Sequence, residues 1–598
     1  MLIFANVPGA SSASRHRPRV EDMPATRRRH QSGLIEKSRG SGEIDLLIKG
    51  GTVFVPTTKE WLQIDLAIDS GVIVGWGERK ARRVLDVEGA WITAGFIDAH
   101  MHIESTKLWI PEFVRAVLPH GTVAVANDPH EMANVAGIEG VAAMIKASRE
   151  LPFTFGFSAS SCVPASSFES PGALFDLEEM REVLESPEAI GVAEVMNYPG
   201  VIAGDPSILA KIALAGNLRV EGHAPGLTGF DLDAYLCAGI ESDHEITTVE
   251  EITEKRRKGM WVFLRQGSAS QNIAALAKSI RERGTVRAAL CSDDREPDLL
   301  LIRGHVNDCI RVAVENGVSL EDALVMATMN AADYHGFTHL GTLSPGYQAD
   351  LCIFDDLESL KPKLVIQCGN VVAADGKLAV TLPERPVPSG LKRSVRLSAD
   401  IDPSAFEVEV GADETVRVIG VTAGSIWTSA KQARYREFDP GLNLIAVIER
   451  HHRTGRRSVA FVEGFGLSAG AIASTVAHDA HNLMVVGANT PEGRQDMAVA
   501  ANHLERIGGG QVVCLNGKIL AEVPLPIAGL MSELSAEVVA AQVRAAQDAA
   551  ASALSCTLEA PFMTLSFLGL SVIPELKLTD RGLIDVTTFQ VTGVRVEA

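Results

Sequence analysis

Short apolar runs separated by glycine-bearing turns begin at about Asp45: "DLLIKGGTVFV", "IDLAIDSGVIVGWGE" and "RVLDVEGAWI". Gly-Gly, Asp-Ser-Gly and Glu-Gly punctuate them, which predicts a small β unit over residues 45–92. The same texture returns over 338–402, in "GTLSPGYQADLCIFDD" and "PKLVIQCGNVVAADGK". Two such pieces on either side of a long insert can close into one β-sandwich.

Residues 93–337 alternate strand-like runs with helical periodicity. The strand candidates are "ITAGFIDAH", "TVAVAND", "PFTFGFSAS", "IGVAEVMN", "LRVEGHA", "GIESDHE", "WVFLRQGS" and "RAALCSDD". Stretches such as "TKLWIPEFVRAVLPH" and "SQNIAALAKSIRERG" lie between them and carry apolar residues at helical spacing. Eight strands with intervening helices predict a (β/α)8 TIM-type barrel. A doubly wound open sheet is the alternative, but no G-x-G-x-x-G follows the first strand to support it. The strand ends favour the barrel. Nearly every run closes on a polar side chain: His100 and His102, Asn127 and Asp128, Glu194, His223, His244, Asp293. Barrel strands bring their C-terminal ends to one mouth, where these groups would meet.

Residues 403–598 carry further strands, "LIAVIER", "SVAFVEGFG" and "NLMVVGAN", then the turn "RIGGGQVV" and the Ala-rich helix "SAEVVAAQVRAAQDAAASAL". They predict a separate C-terminal α/β domain. Residues 1–44, with "RHRPR" and "TRRRH", are polar and basic and are expected to be a poorly ordered extension. No apolar core and small-residue cleavage site follow the basic stretch, as a signal peptide would require.

A length of 598 residues exceeds what one core organises, so several domains are expected. The net charge of -20 argues against a phosphate-binding surface and hence against nucleic acid as a partner. Eight cysteines without a C-x-x-C pair point to reduced thiols and a cytoplasmic location. No apolar run is long enough for a membrane span.

The chemistry concentrates in "GFIDAHMHIES". Residues i and i+2 of a strand share a face, so His100 and His102 can point at one spot. Taken alone, such a pair could equally be one packed and one solvated ring. With His223, His244, Glu194 and Asp293 in barrel phase, the set contains four imidazoles and two carboxylates. That is too many ligands for one tetrahedral ion and suits two ions sharing a carboxylate. Glu194 stands in an apolar strand, where an unpaired carboxylate would cost several kcal/mol. Asp293 could instead cap the helix that follows it.

Taken together, "GFIDAHMHIES", "EGHA", "SDHE" and "CSDD" resemble the amidohydrolase superfamily. "NDPHEMANVAGIEG", "GVAEVMNYPGVI", "LRQGSASQNI", "LCSDDREPDLL", "STVAHDAHNLMVVG" and "PLPIAGLMS" are similar, within it, to the adenine deaminases. The resemblance runs from about Asp45 to the C-terminus. It implies hydrolytic deamination of a purine base at C6, with two divalent metal ions per subunit, Fe2+ or Mn2+, or else Zn2+. It places His100, His102 and Asp293 on one ion, His223 and His244 on the other, and Glu194 as the bridge. It also makes Asp293 the catalytic proton shuttle, with Glu194 beside it. His130, Glu131, Arg265 and Gln266 are the expected substrate-binding residues. His130 and Glu131 could alternatively cap the next helix, and Arg265 and Gln266 could support the site from behind. The family motif reads Arg-Glu-Gly-Ser where this chain has Gln266, which bears on substrate preference. Another aminopurine or a cyclic amide is the alternative substrate. His478, Asp479, His481 and Asn482 show no third metal ligand nearby and suggest a structural or lid role. The expected partner is a small-molecule purine, with no nucleic acid and no membrane, and the expected assembly is a homo-oligomer, a dimer by default.

Overall fold

The computed structural model describes residues 33–596, except 269, 413, 423–424 and 437–440. Both basic stretches of the expected N-terminal extension lie outside the described residues. Residues 33–38 form a short helix ahead of the first strand.

The two flanking segments join in one nine-stranded sheet. Five strands between Ile44 and Ala94 combine with four between Leu351 and Leu378. The seam is the antiparallel pairing of Trp91–Ala94 with Leu351–Phe354, in register at Ala94 and Leu351. Leu46, Ile48, Leu66, Ile92, Leu351 and Ile366 form its own apolar core. The sequence reading extends this unit to residue 402. Its last strand is Lys377–Leu378. Beyond it, Leu397 and Ile401 donate their backbone N–H groups to Glu505 and Asn502 of the C-terminal part.

All eight strand candidates of the middle segment form barrel strands: β1 Phe96–Met101, β2 Thr122–Asn127, β3 Thr154–Ala159, β4 Ala189–Val195, β5 Arg219–Gly222, β6 Ser242–Asp243, β7 Trp261–Arg265 and β8 Ala288–Cys291. β1 to β5 form one parallel run and β6 to β8 another. The ring closes where the Asp293 N–H donates to the His100 carbonyl at 3.0 Å, and where the Glu241 N–H donates to Val220 at 3.0 Å. The strands read as nearly unbroken apolar runs because both of their faces are buried. Ile97, Ala124, Ile190, Phe263 and Ala289 pack with Tyr334 and Phe337, filling the barrel below the polar strand ends.

The C-terminal part is built on an eight-stranded mixed sheet. Strand Asn443–Ile448 shows the two-residue alternation of a sheet covered on both faces. Leu444, Ala446 and Ile448 pack with Met497 and Leu504 of helix Pro491–Ile507. Ile445 and Val447 face the other way, into the core shared with helix Ala536–Leu554 and the barrel. That second face carries the segments that cover the barrel mouth.

Candidate active site

The C-terminal ends of the strands bring the six expected ligands into one buried mouth. His100 is fixed by its Nδ1, 2.8 Å from Glu221 Oε2 of β5, which leaves Nε2 without a hydrogen-bond partner. His102 sits with Nδ1 3.0 Å from the Asp128 carbonyl oxygen. Its Nε2 lies 3.3 Å from Asp293 Oδ1 and 3.6 Å from Glu194 Oε1. His223 Nδ1 is 2.7 Å from Glu194 Oε2, and its Nε2 is also unpartnered. His244 Nε2 approaches the same Glu194 oxygen at 3.2 Å, while its ring stacks on His100 with centroids 4.1 Å apart. Ligand atoms of His100, His244 and Asp293, and those of Glu194, His223 and His244, fall in two groups, each within 4.8 Å.

Asp293 has φ +57°, the left-handed region that aspartate tolerates better than most residues. That turn of backbone just after β8 directs the carboxylate back over the mouth. Arg265, at the end of β7, donates to both oxygens of Glu245 at 2.5 Å and also to Asp293 Oδ2. Burial works against charge on Asp293, yet the Arg265 guanidinium and neighbouring imidazoles hold its carboxyl well below the usual carboxylate range. Burial likewise opposes charge on Glu194, and His223 and His244 more than offset it, so this group too stays ionised.

A roof of C-terminal residues closes the mouth. His478, Asp479, Ile426, Phe567, Leu570 and Ile573 line the pocket opposite the barrel ligands. His130 joins them from the barrel side, its Nδ1 3.1 Å from Asp128 Oδ2 and its Nε2 3.7 Å from Asp479 Oδ1. Nε2 of His130, Nε2 of His478 and Oδ2 of Asp479 are buried without hydrogen-bond partners. Burial pushes His478 down to about 4, leaving a neutral ring, and pushes Asp479 up to about 6. Lys577 fastens the roof from behind by donating to the carbonyls of Ile426 at 2.8 Å and Phe567 at 3.0 Å.

Three of the expected substrate-binding residues lie elsewhere. Glu131 is fully buried behind His130, accepts from Ser105 Oγ at 2.7 Å, and does not line the pocket. Arg265 is held by Glu245 and Asp293, and is likewise set back from the pocket lining. Gln266 lines a neighbouring cavity. His481 is turned away, accepting the Ala477 N–H at its Nδ1. Sequence reasoning missed Glu221 and Glu245, although each was within reach. Glu221 lies in β5 two residues before His223, at the spacing that shares a face in extended chain, and Glu245 adjoins His244.

The donor set fits divalent cations. Seven buried carboxyl groups, Glu194, Glu221, Glu245, Asp128, Asp293, Asp294 and Asp479, gather here around the Arg265 guanidinium and the imidazoles, a setting that suits added positive charge. The unpartnered Nε2 atoms of His100 and His223 are lone-pair or N–H groups that burial makes costly unless something binds them. Glu221 stands behind His100 as the kind of carboxylate that orients such rings in metal sites.

A parallel barrel with this histidine and carboxylate set at its mouth is the architecture of a metal-dependent hydrolase, and the amidohydrolase family model matches residues 91–379. A model of the adenine deaminase C-terminal domain matches residues 421–590, the part that supplies most of the roof. An adenine deaminase of Clostridium acetobutylicum is 39% identical over 567 residues, covering 93% of this chain and 98% of that one. One from Nitratidesulfovibrio vulgaris is 41% identical over 94% of this chain and 98% of its own. Another, from Brucella anthropi, is 40% identical over 94% of this chain and 99% of its own. The chain belongs to the adenine deaminase family.

Proposed function

We propose that this protein hydrolyses adenine to hypoxanthine and ammonia, using two divalent metal ions, Fe2+ or Mn2+, with Zn2+ as the other choice. The observation that carries the reading is the convergence of six buried side chains of ligand type under a roof drawn from the segment that the adenine deaminase C-terminal domain model matches. His100, His102 and Asp293 would hold one ion, His223 and His244 the other, with Glu194 between them. When bound, such ions would supply Lewis acidity, which lowers the pKa of a bound water to about 7.

The chain's own groups account for the protons. Asp293 Oδ2 accepts from Arg265, whereas Oδ1 faces the ligand histidines, 3.3 Å from His102 Nε2, and is the oxygen placed to accept a proton from the attacking water. A carboxylate held so far below its usual range is a weak base, which suits a water already made acidic. Water adds to C6, Asp293 passes the proton to the 6-amino group, and ammonia leaves. The oxygen remains on the ring as hypoxanthine, and the overall balance is adenine plus water. Asp479 and the Nε2 atoms of His130 and His478 offer acceptors and donors for the ring nitrogens. Phe567 and Ile426 give the flat base an apolar wall.

The reading further assigns the protein to the cytoplasm, where thiols stay reduced, and to a homodimer, the commonest symmetric assembly. The deciding experiment is ammonia release from adenine by protein with measured metal content, beside Asp293→Asn. Release that the variant lowers by about a thousandfold supports both the reaction and the shuttle. Fully metallated protein that releases no ammonia would overturn the assignment and redirect the search to other aminopurines and cyclic amides.

A further inference from the structure

The pocket enclosed by the ligands and the roof has about 20 Å³ of free room. That is about enough for one water and far too little for a purine. Beside it lies a cavity of about 450 Å³, between the loops that follow β7 and β8 and the C-terminal segment 547–567. A volume of that size is typical of small-molecule sites. Phe567 is the one described side chain that lines both spaces. Its ring stacks on His478, with centroids 4.5 Å apart and planes 14° from parallel.

The backbone around this ring is tightly held. Lys577 ties down the Phe567 carbonyl, and two residues on, a Cβ added at Gly569 would lie 2.9 Å from the His478 carbonyl oxygen. With the backbone fixed, rotation of the Phe567 ring is the movement left to join the two spaces. The larger cavity presents amides from Gln266, Gln271 and Gln547, the Glu296 carboxylate and the Arg303 guanidinium. Such a mixed wall offers donors and acceptors to a neutral heteroaromatic base without the apolar burial that would trap it.

We propose that this cavity is the antechamber through which the aminopurine reaches the metal-binding pocket, and that the Phe567 ring is the partition between them. The proposal rests on the adenine reading above. It also gives Gln266 a place: it meets the base on the way in and stays clear of the reacting atoms.

A passage and a binding site leave different kinetic marks. Narrowing a passage slows arrival and departure alike and leaves the equilibrium untouched, whereas damaging a binding site weakens it. The test follows hypoxanthine, the product, binding to metal-loaded protein by stopped-flow tryptophan fluorescence. Trp427 adjoins Ile426 of the pocket wall and supplies the signal. Gln271→Phe, at an exposed rim position, and Ala560→Phe, on the opposite wall, narrow the cavity without touching any expected ligand. Each is expected to slow association and dissociation together by about tenfold while Kd stays within about threefold.

Unchanged rates in both narrowed variants would overturn the antechamber while leaving the adenine reading intact. Slower association with a proportionally weaker Kd would also overturn it, because it would make these residues part of the binding site. If metal-loaded wild-type protein binds no hypoxanthine, the purine reading and the antechamber fall together. Should Ala560→Phe fold poorly, Gln271→Phe still decides.

Discussion

Lys577 is a fully buried amine whose two hydrogen bonds go to neutral carbonyls, and among the described residues no carboxylate pairs with it. Burial therefore pushes its pKa from 10.5 down to about 7. The unfolded chain holds this proton up to about pH 10.5, and the folded one releases it near pH 7. Between those values the unfolded state binds more protons, so stability rises with pH across that window. With about 1.36 kcal/mol per pKa unit, the cost of burying the amine is about 4 kcal/mol at pH 7 and falls to about 2 kcal/mol at pH 9. Lys577→Met removes that cost and leaves two carbonyls without a donor, a loss of about 1–3 kcal/mol that does not depend on pH. The variant should therefore match or exceed wild type near pH 7 and lose about 2 kcal/mol relative to it by pH 9. Urea transitions followed by circular dichroism at pH 7, 8 and 9 measure this. Taking the difference between variant and wild type cancels the other titrating groups. A difference that stays constant over that range would refute the argument and mean that the amine keeps its proton in the fold.

Other substitutions probe the mouth itself. Glu221→Gln should weaken metal retention about 10–100-fold, because it removes the carboxylate that orients His100; metal content after dialysis against a graded chelator reads this directly. Asp479→Asn should raise KM for adenine by about tenfold at full metal content, and an unchanged KM would remove Asp479 from purine recognition. Burial, with Glu104 and Asp294 nearby, pushes Glu131 up to about 8, so it is largely protonated at neutral pH. Glu131→Gln is then close to isosteric in charge, and steady-state kinetics should show KM and kcat within about threefold of wild type. A large KM increase would return Glu131 to the substrate.

The barrel was legible because strands buried on both faces must be apolar along their length, and their polar ends stand out against that background. "IGVAEVMN" shows this, since Glu194 has no reason to sit in such a run unless something charged meets it. The antiparallel seam between Ala94 and Leu351 was legible only as matching texture in two distant segments. Residues whose role depends on a neighbour from another strand were harder to place. Arg265 and Gln266 are adjacent in sequence, yet one is clamped between Glu245 and Asp293 while the other opens onto the larger cavity. Alternation in extended chain says that neighbours at the end of β7 face opposite ways, but not which of them faces the ligands. The roof was the least visible part. His478 and Phe567 come from segments whose packing over the barrel is set by the eight-stranded sheet, and no local pattern announces it.

The roof also lies late in the order of synthesis. All six expected ligands have been synthesised once Asp293 has been made, whereas the first roof residue, Ile426, follows 133 residues later. At about 5–20 residues per second, that interval lasts roughly 7 to 27 seconds. For that time a nascent chain whose barrel has closed presents its ligand cluster to bulk solvent. Ions that must later be retained under a lid can arrive before the lid exists, so a shortage of metal during translation would leave a different enzyme from a shortage imposed on the finished protein.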